Sequence, residues 1–162
     1  MVTLKEVFGV NEKSLIANTV LRALPDWFAI ELSIVGYVRD VADLTFIAAY
    51  DEETAIGFVA IKKHNPYTAE VYVMGVLHEY HRHGVGKMLI HSCEDYCSRN
   101  NMKFLSVKTL SERVVNEFYE KTRKFYLSMG FLPLEVFDTL WGENNPCLLM
   151  VKVLYSKNLV NH

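Results

Sequence analysis

Residues 81–87, which read His-Arg-His-Gly-Val-Gly-Lys, place two glycines among basic side chains. The apolar run of residues 69–76 predicts a strand before them, and the apolar spacing that follows predicts a helix. A strand, a glycine turn and a helix start bring several main-chain N–H groups and the positive end of the helix dipole to one point. Gly84 and Gly86 can both adopt positive φ and let a ligand approach the main chain. The pattern therefore predicts an anion site.

Two phosphate motifs do not fit this turn. A Walker A loop needs glycine in place of His81 and serine or threonine in place of Met88, and a dinucleotide fingerprint needs glycine or alanine in place of Leu89. The remaining spacing resembles the pyrophosphate loop of the GCN5-related N-acetyltransferase (GNAT) superfamily. That loop reads Gln or Arg, two residues, Gly, one residue, and Gly or Ala, and His81 takes its first position here.

A second segment, residues 125–131, reads Phe-Tyr-Leu-Ser-Met-Gly-Phe and is similar to the F-Y-x-x-x-G-F segment of many acetyltransferases of that superfamily. The family often carries Asn seven residues before the tyrosine, where this chain has Tyr119. Residues 119–126, together with Leu140-Trp141 and residues 145–147, resemble a bacterial subgroup. The two signatures together are more specific than either alone.

The resemblance covers nearly the whole chain and implies an α/β (α+β) fold with a mixed, largely antiparallel sheet of about seven strands and helices on both faces. It also implies a single domain over residues 1–162, with acetyl-CoA as the acyl donor and a primary amine as the acceptor. The residues expected to contact acetyl-CoA are Met74, Val76, His81, Arg82, His83, Gly84, Val85, Gly86, Lys87 and Tyr119.

Amine acetylation calls for a base, because an alkylammonium group with a pKa near 10 is mostly protonated at neutral pH. Glu70 is our candidate, since it aligns, counted back from the glycine turn, with the glutamate that serves as general base in histone acetyltransferases of the superfamily. An apolar wall around it would raise its pKa and improve it as a base. The alternative is an ordinary strand-end carboxylate in solvent.

The tetrahedral intermediate of acyl transfer needs a donor for its oxyanion, and the Val76 N–H is the candidate by position. Gly75 fits a local distortion of the strand, or is a glycine that the strand tolerates. Tyr126 is the candidate acid that protonates the departing thiolate, and a buried core tyrosine is the alternative. The resemblance implies direct transfer without a covalent enzyme intermediate.

Asp26, Trp27, Phe28 and Glu31 are the candidate acceptor-side residues, because the segments after the first strand line the acceptor side in the resembled family. The two aromatic residues could equally fill the core between helices. Small amines, antibiotics, polyamines, peptide N-termini and lysine side chains all stay open as acceptors.

The composition sets limits on these interpretations. A content of 51% hydrophobic residues predicts a globular protein, and a formal charge of −2 argues against bulk nucleic-acid binding. We find no membrane-length apolar run and no signal-peptide pattern, which favours the cytosol. The cysteines, Cys93, Cys97 and Cys147, are odd in number and are expected to be reduced core thiols. The histidines near residue 80 lack further ligands at metal-site spacing, so we expect no metal.

The expected elements follow from periodicity and turn residues. We predict strands over residues 4–7, 44–50, 56–63, 69–76 and 104–109, with the last parallel to the one before the glycine turn, and two more strands within residues 131–154. The first helix is expected to start at an Asn11 cap and stop at Pro25. The second is expected to span residues 31–41, with Leu32, Val35 and either Val38 or Arg39 near one stripe. The helix after the glycine turn should end at Asn100, and the last helix should start at Ser111, bury Val115 and close at Gly130.

Two rival functions stay open. A non-catalytic acyl-CoA sensor or interaction module would keep the fold without an acceptor pocket, and His81 and Tyr119 are the departures that favour it. A nucleotide-phosphate binder is the third possibility. A homodimer through the apolar terminal hairpin is a further expectation.

Overall fold

The computed structural model describes residues 1–155, which form seven strands and four α-helices. In chain order they are β1 (Val2–Glu6), α1 (Val10–Arg22), α2 (Glu31–Asp40), β2 (Thr45–Asp51), β3 (Thr54–Asn65), β4 (Thr68–Val76), α3 (Val85–Arg99), β5 (Phe104–Leu110), α4 (Glu117–Ser128), β6 (Leu132–Phe137) and β7 (Cys147–Val153). The sheet order is β1-β2-β3-β4-β5-β7-β6, so the last strand of the chain inserts between β5 and β6. Antiparallel pairing joins β1 to β2, β2 to β3, β5 to β7 and β6 to β7. The mixed, largely antiparallel α/β fold is confirmed.

Backbone contacts divide the described chain into two compact units. The first contains Met1–Lys62 and Val71–Cys93, and the second contains Lys63–Glu70 and the described chain from Glu94 onward. The expectation of a single domain stays a prediction.

The core of the first unit is built where α1 turns its apolar face inward. Ile16, Val20 and Leu24 recur at helical spacing and are buried. The aromatic rings of Phe46 on β2 and Phe58 on β3 stack there with centroids 5.0 Å apart.

Gly9, rather than Asn11, is the N-cap of α1. It has extended backbone angles, and its carbonyl accepts the first helical bond from the N–H of Lys13 at 3.0 Å. Asn11 therefore lies inside the first turn, too late in the chain to cap the helix.

The second helix has the predicted extent but not the predicted buried stripe. Ile34 is its buried residue, whereas Leu32 and Val35 are exposed. The helix therefore packs on the core mainly through Ile34. Single apolar residues beside a buried position, such as Leu32 and Val35, can remain exposed to solvent.

In the second unit α4 begins later than predicted. Asn116 caps it, and its side-chain oxygen accepts hydrogen bonds from the N–H groups of Phe118 and Tyr119. Ser111 instead accepts from the N–H of Arg113 in the preceding turn, at 3.3 Å. Val115 precedes the helix and is fully exposed, so its predicted burial is wrong.

The connection between β3 and β4 is shorter than the sequence suggested. β3 continues through His64 to Asn65, and the Asn65 side chain accepts from the N–H groups of Tyr67 and Thr68 to form a tight turn. His64 is therefore a strand residue with a fixed direction.

Candidate active site

The glycine turn lies between the end of β4 and the start of α3, as expected. Arg82 has φ of +63° and Gly84 has φ of +80°. The carbonyl of Gly84 accepts the first helical bond, from the N–H of Met88 at 3.0 Å. The N–H groups of residues 85–87 thus belong to the first helical turn, where the helix offers them no carbonyl partner. Gly86 is itself helical, so the expectation that it uses positive φ is wrong.

Positive charge surrounds these N–H groups. The side chains of Arg82, His83 and Lys87 are exposed, while Val85 is buried and anchors the start of α3. Tyr80, which precedes the turn, is held in place because its hydroxyl donates a hydrogen bond to the Asp51 carboxylate at 2.8 Å. That hydrogen bond raises the pKa of Tyr80. The turn is therefore held at both ends and presents main-chain donors to solvent, which is the arrangement that binds an anion.

The side chain of His81 points back toward β4. Its Nε2 lies 2.6 Å from the Val76 carbonyl oxygen. Its ring also meets the Trp27 ring edge-on, with centroids 5.4 Å apart. The imidazole therefore holds the end of β4 and packs on Trp27 in a position where the resembled loop carries Gln or Arg.

The end of β4 is also where two glycines let the chain pack closely. A Cβ on Gly75 would lie 3.0 Å from a methyl group of Val20 on α1. A Cβ on Gly57 of β3 would lie 2.9 Å from the Gly75 carbonyl oxygen and 3.3 Å from the Val76 Cα. Gly75 thus has a packing reason to be glycine, and so does Gly57, which was not predicted from the sequence.

The predicted acceptor-side aromatics belong to a larger cluster within the first unit. Trp27 and Phe28 are half-buried against the core. Phe28 meets Tyr37 edge-on at 6.1 Å, and Tyr37 meets Tyr72 at 5.7 Å. Both proposed roles, core packing and pocket wall, are compatible with half-burial.

Asp40, which was not predicted from the sequence, contacts this cluster through Tyr72. The Tyr72 hydroxyl donates to it in a short hydrogen bond, which is the main reason that its pKa is lowered. The available signal was the three-residue spacing of Tyr37 and Asp40 on one helix, which places both on one face.

The two predicted acceptor-side acids, Asp26 and Glu31, have surroundings different from those of Asp40. Asp26 is exposed. Glu31 forms a paired contact with the Arg22 guanidinium, at 2.7 and 2.8 Å, and the hydrogen bond from Arg22 lowers the pKa of Glu31. The Glu31 carboxylate thus already has a cationic partner.

Glu70 lies in the second unit at the centre of a charged cluster. It is 3% exposed, so the alternative of a solvated carboxylate is wrong. Its Oε1 lies 2.6 Å from His64 Nε2, and Lys108 Nζ lies 3.2 Å from Oε1 and 3.1 Å from Oε2. The expected apolar wall is replaced by two basic side chains, because β3 and β5 each direct one toward the carboxylate.

Tyr126 is buried in the second unit on the last turn of α4. Its ring meets the Phe131 ring edge-on at 5.5 Å, and its carbonyl accepts from the N–H of Phe131 at 3.0 Å. Gly130, with φ of +93°, makes that return possible as the helix ends. Tyr119 lies two turns earlier and is half-buried. The F-Y-x-x-x-G-F segment is thus a helix end that fixes the Tyr126 ring.

The cysteines are buried free thiols, as expected. Burial is the main cause that raises the pKa of Cys97 and of Cys147 to about 11. Both groups are therefore neutral thiols at pH 7. Among residues 1–155, no three His, Cys, Asp or Glu side chains converge on a point that could hold a metal ion.

A groove of about 500 Å³ lies in the second unit beside α4. Its lining comes from the turn before α4, from α4 itself and from β6 and β7, and includes neither Glu70 nor Tyr126. The groove is therefore separate from the predicted catalytic residues.

Comparison with known proteins agrees with the fold. The sequence profile of the acetyltransferase (GNAT) family matches residues 16–131, and the chain belongs to that family. No curated protein matches the sequence significantly. Within the described residues, the helices are all too short or too polar to cross a membrane.

Solved structures resemble the chain over nearly its full length. A GNAT-family protein from Desulfovibrio desulfuricans has a TM-score of 0.79 at 14% identity, covering 96% of this chain and 100% of that one. An aminoglycoside 6'-N-acetyltransferase complexed with coenzyme A has a TM-score of 0.72 at 15% identity, covering 96% and 98%. The ribosomal-protein-S18-alanine N-acetyltransferase from Escherichia coli has 0.74 at 14%, covering 98% of each chain. At these identities the similarity shows the fold.

Proposed function

We propose that the protein is an acetyl-CoA-dependent N-acetyltransferase that transfers acetyl to a primary amine by direct attack. The observation that carries the proposal is the turn at residues 82–87. It combines a left-handed Arg82 and Gly84, main-chain donors in the first turn of α3, and exposed cationic side chains. A diphosphate is the ligand that suits such a helix start.

The proposed contacts to the donor extend from the turn onto β4. Main-chain groups of Met74 and Val76 would pair with the amides of the pantetheine arm as an added strand does. The Val76 N–H would stabilise the oxyanion, and the His81 imidazole supports this role because it holds the carbonyl of the same residue. His83, Val85, Gly86 and Tyr119 complete the proposed binding set.

Direct transfer is supported by the state of the thiols. An acyl-enzyme on Cys97 or Cys147 would need a thiolate, and burial raises the pKa of both thiols to about 11. In the direct reaction the amine nitrogen attacks the thioester carbon, the C–S bond breaks, and Tyr126 protonates the leaving thiolate.

Glu70 is proposed as the carboxylate that draws the proton from the acceptor. It lies six residues from Val76 on β4, which is about 20 Å along an extended strand. A proton from an amine at the thioester would therefore reach Glu70 through water, not by direct contact.

The acceptor is proposed to enter beside Trp27 and Phe28, with Asp26 and Glu31 nearer the surface. The aminoglycoside and ribosomal-protein names of the similar structures describe those proteins, and they span acceptors from small molecules to proteins. The shared requirement is an unprotonated primary amine. The cytosolic location predicted from the sequence stays a proposal.

The direct test is calorimetry with coenzyme A, followed by a free-thiol assay with acetyl-CoA and a panel of spermidine, kanamycin, tyramine and an alanine-starting peptide. We expect binding and at least one turned-over amine. Binding without turnover of any amine would favour the sensor. Thermal stabilisation by ATP equal to that by coenzyme A would favour a nucleotide-phosphate binder.

A further inference from the structure

We propose that the groove beside α4 is the surface through which two copies of this chain pair around a two-fold axis. The groove lies within the second unit, and its lining includes neither Glu70 nor Tyr126. The inference is therefore independent of the proposed acetyl transfer. Its test measures association between copies and needs no activity.

The lining of the groove is largely apolar. Strands β6 and β7 contribute Pro133, Val136, Leu148 and Met150. Val115, just before α4, lines the groove and is fully exposed, and Leu127 in the last turn of α4 is 47% exposed. An exposed apolar patch rimmed by charged residues marks an interaction site on a folded protein.

The charged side chains that line the groove are divided along α4. Glu117 and Glu120 come from the first half of the helix, and Arg123 and Lys124 come from the second half. A helix with one acidic half and one basic half is complementary to a copy of itself that runs antiparallel. A two-fold axis perpendicular to the helix gives that arrangement. Charge complementarity therefore selects a second copy of this chain as the occupant.

The centre of α4 determines which residues meet across the axis. The helix spans Glu117–Ser128, so an axis at its centre passes near Thr122. Glu120 of each copy then faces Lys124 of the other. Within one copy, Lys124 Nζ lies 3.1 Å from Glu120 Oε1, and both side chains are more than half exposed. Pairing therefore joins two exposed ion pairs into one cluster of four alternating charges.

The edge of the sheet also favours pairing through the groove. Strand β6 is the edge strand, and its Pro133 has no N–H to donate to a strand of a second copy. The register of β6 against β7 shifts after Pro133. Both features oppose extension of the sheet across two copies. The two copies would therefore meet through α4 and the groove beside it.

Sedimentation velocity of the full chain over a concentration series tests the pairing. We expect the wild type to dimerise, and E120K and K124E each to dimerise about tenfold more weakly, because each creates two like-charge contacts across the axis. An equimolar mixture of E120K and K124E should recover the association, since each altered residue then faces an opposite charge. The E120K/K124E double variant should dimerise as the wild type does.

The mixture separates pairing between copies from the stability of the helix. Each single variant lacks the ion pair between residues 120 and 124 of its own helix, in the mixture as well as alone. Asp95 and Arg99 supply the matched control, because they are exposed on α3 with the same four-residue spacing. We expect D95K and R99E to dimerise like the wild type, alone or mixed.

The variant V115D tests the apolar part of the surface. Val115 is fully exposed, so aspartate there should leave the far-UV circular dichroism unchanged. It should weaken dimerisation at least tenfold, because a carboxylate would be taken out of water at the interface. Val35 is 49% exposed on α2, so V35D is the matched control and should dimerise like the wild type.

Three outcomes would overturn the inference. The first is a wild-type chain that stays monomeric throughout the series, whether a different protein or nothing occupies the groove. The second is a dimer that keeps its full strength in V115D and E120K, because the copies then pair through another surface. The third is weakening in E120K and K124E without recovery in their mixture, because the helices then do not run antiparallel across the axis.

Discussion

The proposed role of Tyr126, protonation of the leaving thiolate, depends on its hydroxyl group alone. Its ring is fixed by Phe131 at the end of α4, so removing the hydroxyl should leave the packing intact. We expect Tyr126→Phe to lower kcat about 100-fold, because general acid catalysis is worth about two to four orders of magnitude. Steady-state kinetics with calorimetry for coenzyme A would check this.

The exposed Tyr155 provides the control, since Tyr155→Phe should leave kcat unchanged. Unchanged turnover in Tyr126→Phe would remove its hydroxyl from the mechanism and leave a core tyrosine.

The carboxylate of Asp40 has a shifted pKa that predicts a pH dependence of stability. The hydrogen bond from Tyr72, followed by that from Arg39, lowers the pKa of Asp40 in the folded state. A lowered pKa contributes stability that is present above the unfolded pKa and lost as pH falls through the folded one. We expect urea unfolding to show that Asp40→Asn loses less stability than the wild type between pH 5 and about pH 3.

The effect should be below about 1 kcal/mol, because the carboxylate is partly exposed and screened by solvent. If the wild type and Asp40→Asn lose the same unfolding free energy as the pH falls, the Tyr72 contact does not persist in solution.

At the scale of elements, the junction of β4 and α3 depends on one left-handed glycine. Gly84 has φ of +80°, which costs a residue with a Cβ about 1–2 kcal/mol. We expect Gly84→Ala to weaken coenzyme A binding roughly tenfold, because the N–H groups of α3 would be displaced from the ligand. Calorimetry measures the change.

Gly142 makes a matched comparison. It has φ of +89°, and a Cβ there would extend into open space, so Gly142→Ala carries a similar backbone cost away from the turn. Equal losses of coenzyme A affinity in both variants would show that the turn is not the binding element.

The close approach of β3 to the end of β4 depends on Gly57. A Cβ there would meet the Gly75 carbonyl oxygen at 2.9 Å, and a main-chain atom cannot move aside without bending the strand. We expect Gly57→Ala to destabilise the protein by about 1–3 kcal/mol in urea unfolding.

Gly36→Ala provides the opposite case. A Cβ at Gly36 on α2 would have its nearest neighbour at 4.0 Å, so alanine should stabilise the helix by about 0.5–1 kcal/mol. Destabilisation by both substitutions to the same extent would contradict the argument from close approach.

At the scale of the whole molecule, the buried thiols report on opening of the fold. With a pKa of about 11, roughly one Cys147 thiol in ten thousand is ionised at pH 7. We expect iodoacetamide to label Cys93, Cys97 and Cys147 slowly in the native protein and quickly in urea. Mass spectrometry of the labelled peptides would measure each site.

Saturating coenzyme A should slow that labelling further, because a ligand that binds the folded state alone stabilises it by about 2.7 kcal/mol at roughly 100 times its Kd. Rapid native labelling of any of the three would contradict their burial.

The terminal hairpin places an apolar strand at the edge of the sheet. Leu132 and Leu134 on β6 are exposed, but Pro133 and the register shift that follows it are features that limit edge-to-edge pairing. The homodimer therefore stays a prediction, which sedimentation would test.

The sequence by itself determined the order of elements, the fold class and the glycine turn, because periodicity and chain breakers act over a few neighbouring residues. Through its resemblance to the GNAT superfamily, it also offered Glu70 and Tyr126 as candidate catalytic residues. Local signals gave the wrong N-cap for α4, because both Ser111 and Asn116 are residues that can cap a helix. They also gave the wrong buried face for α2, because that helix has more apolar residues, Leu32 among them, than buried positions.

Only the tertiary structure decided what surrounds each chemical group. It brought His64 and Lys108 to Glu70, turned His81 toward Val76, and gave Asp40 its partner in Tyr72. These contacts join residues on different strands and helices, so no periodicity along the chain encodes them. The sequence around a glutamate does not show whether its carboxylate lies in solvent or between two basic side chains, because strand pairing decides which side chains become its neighbours.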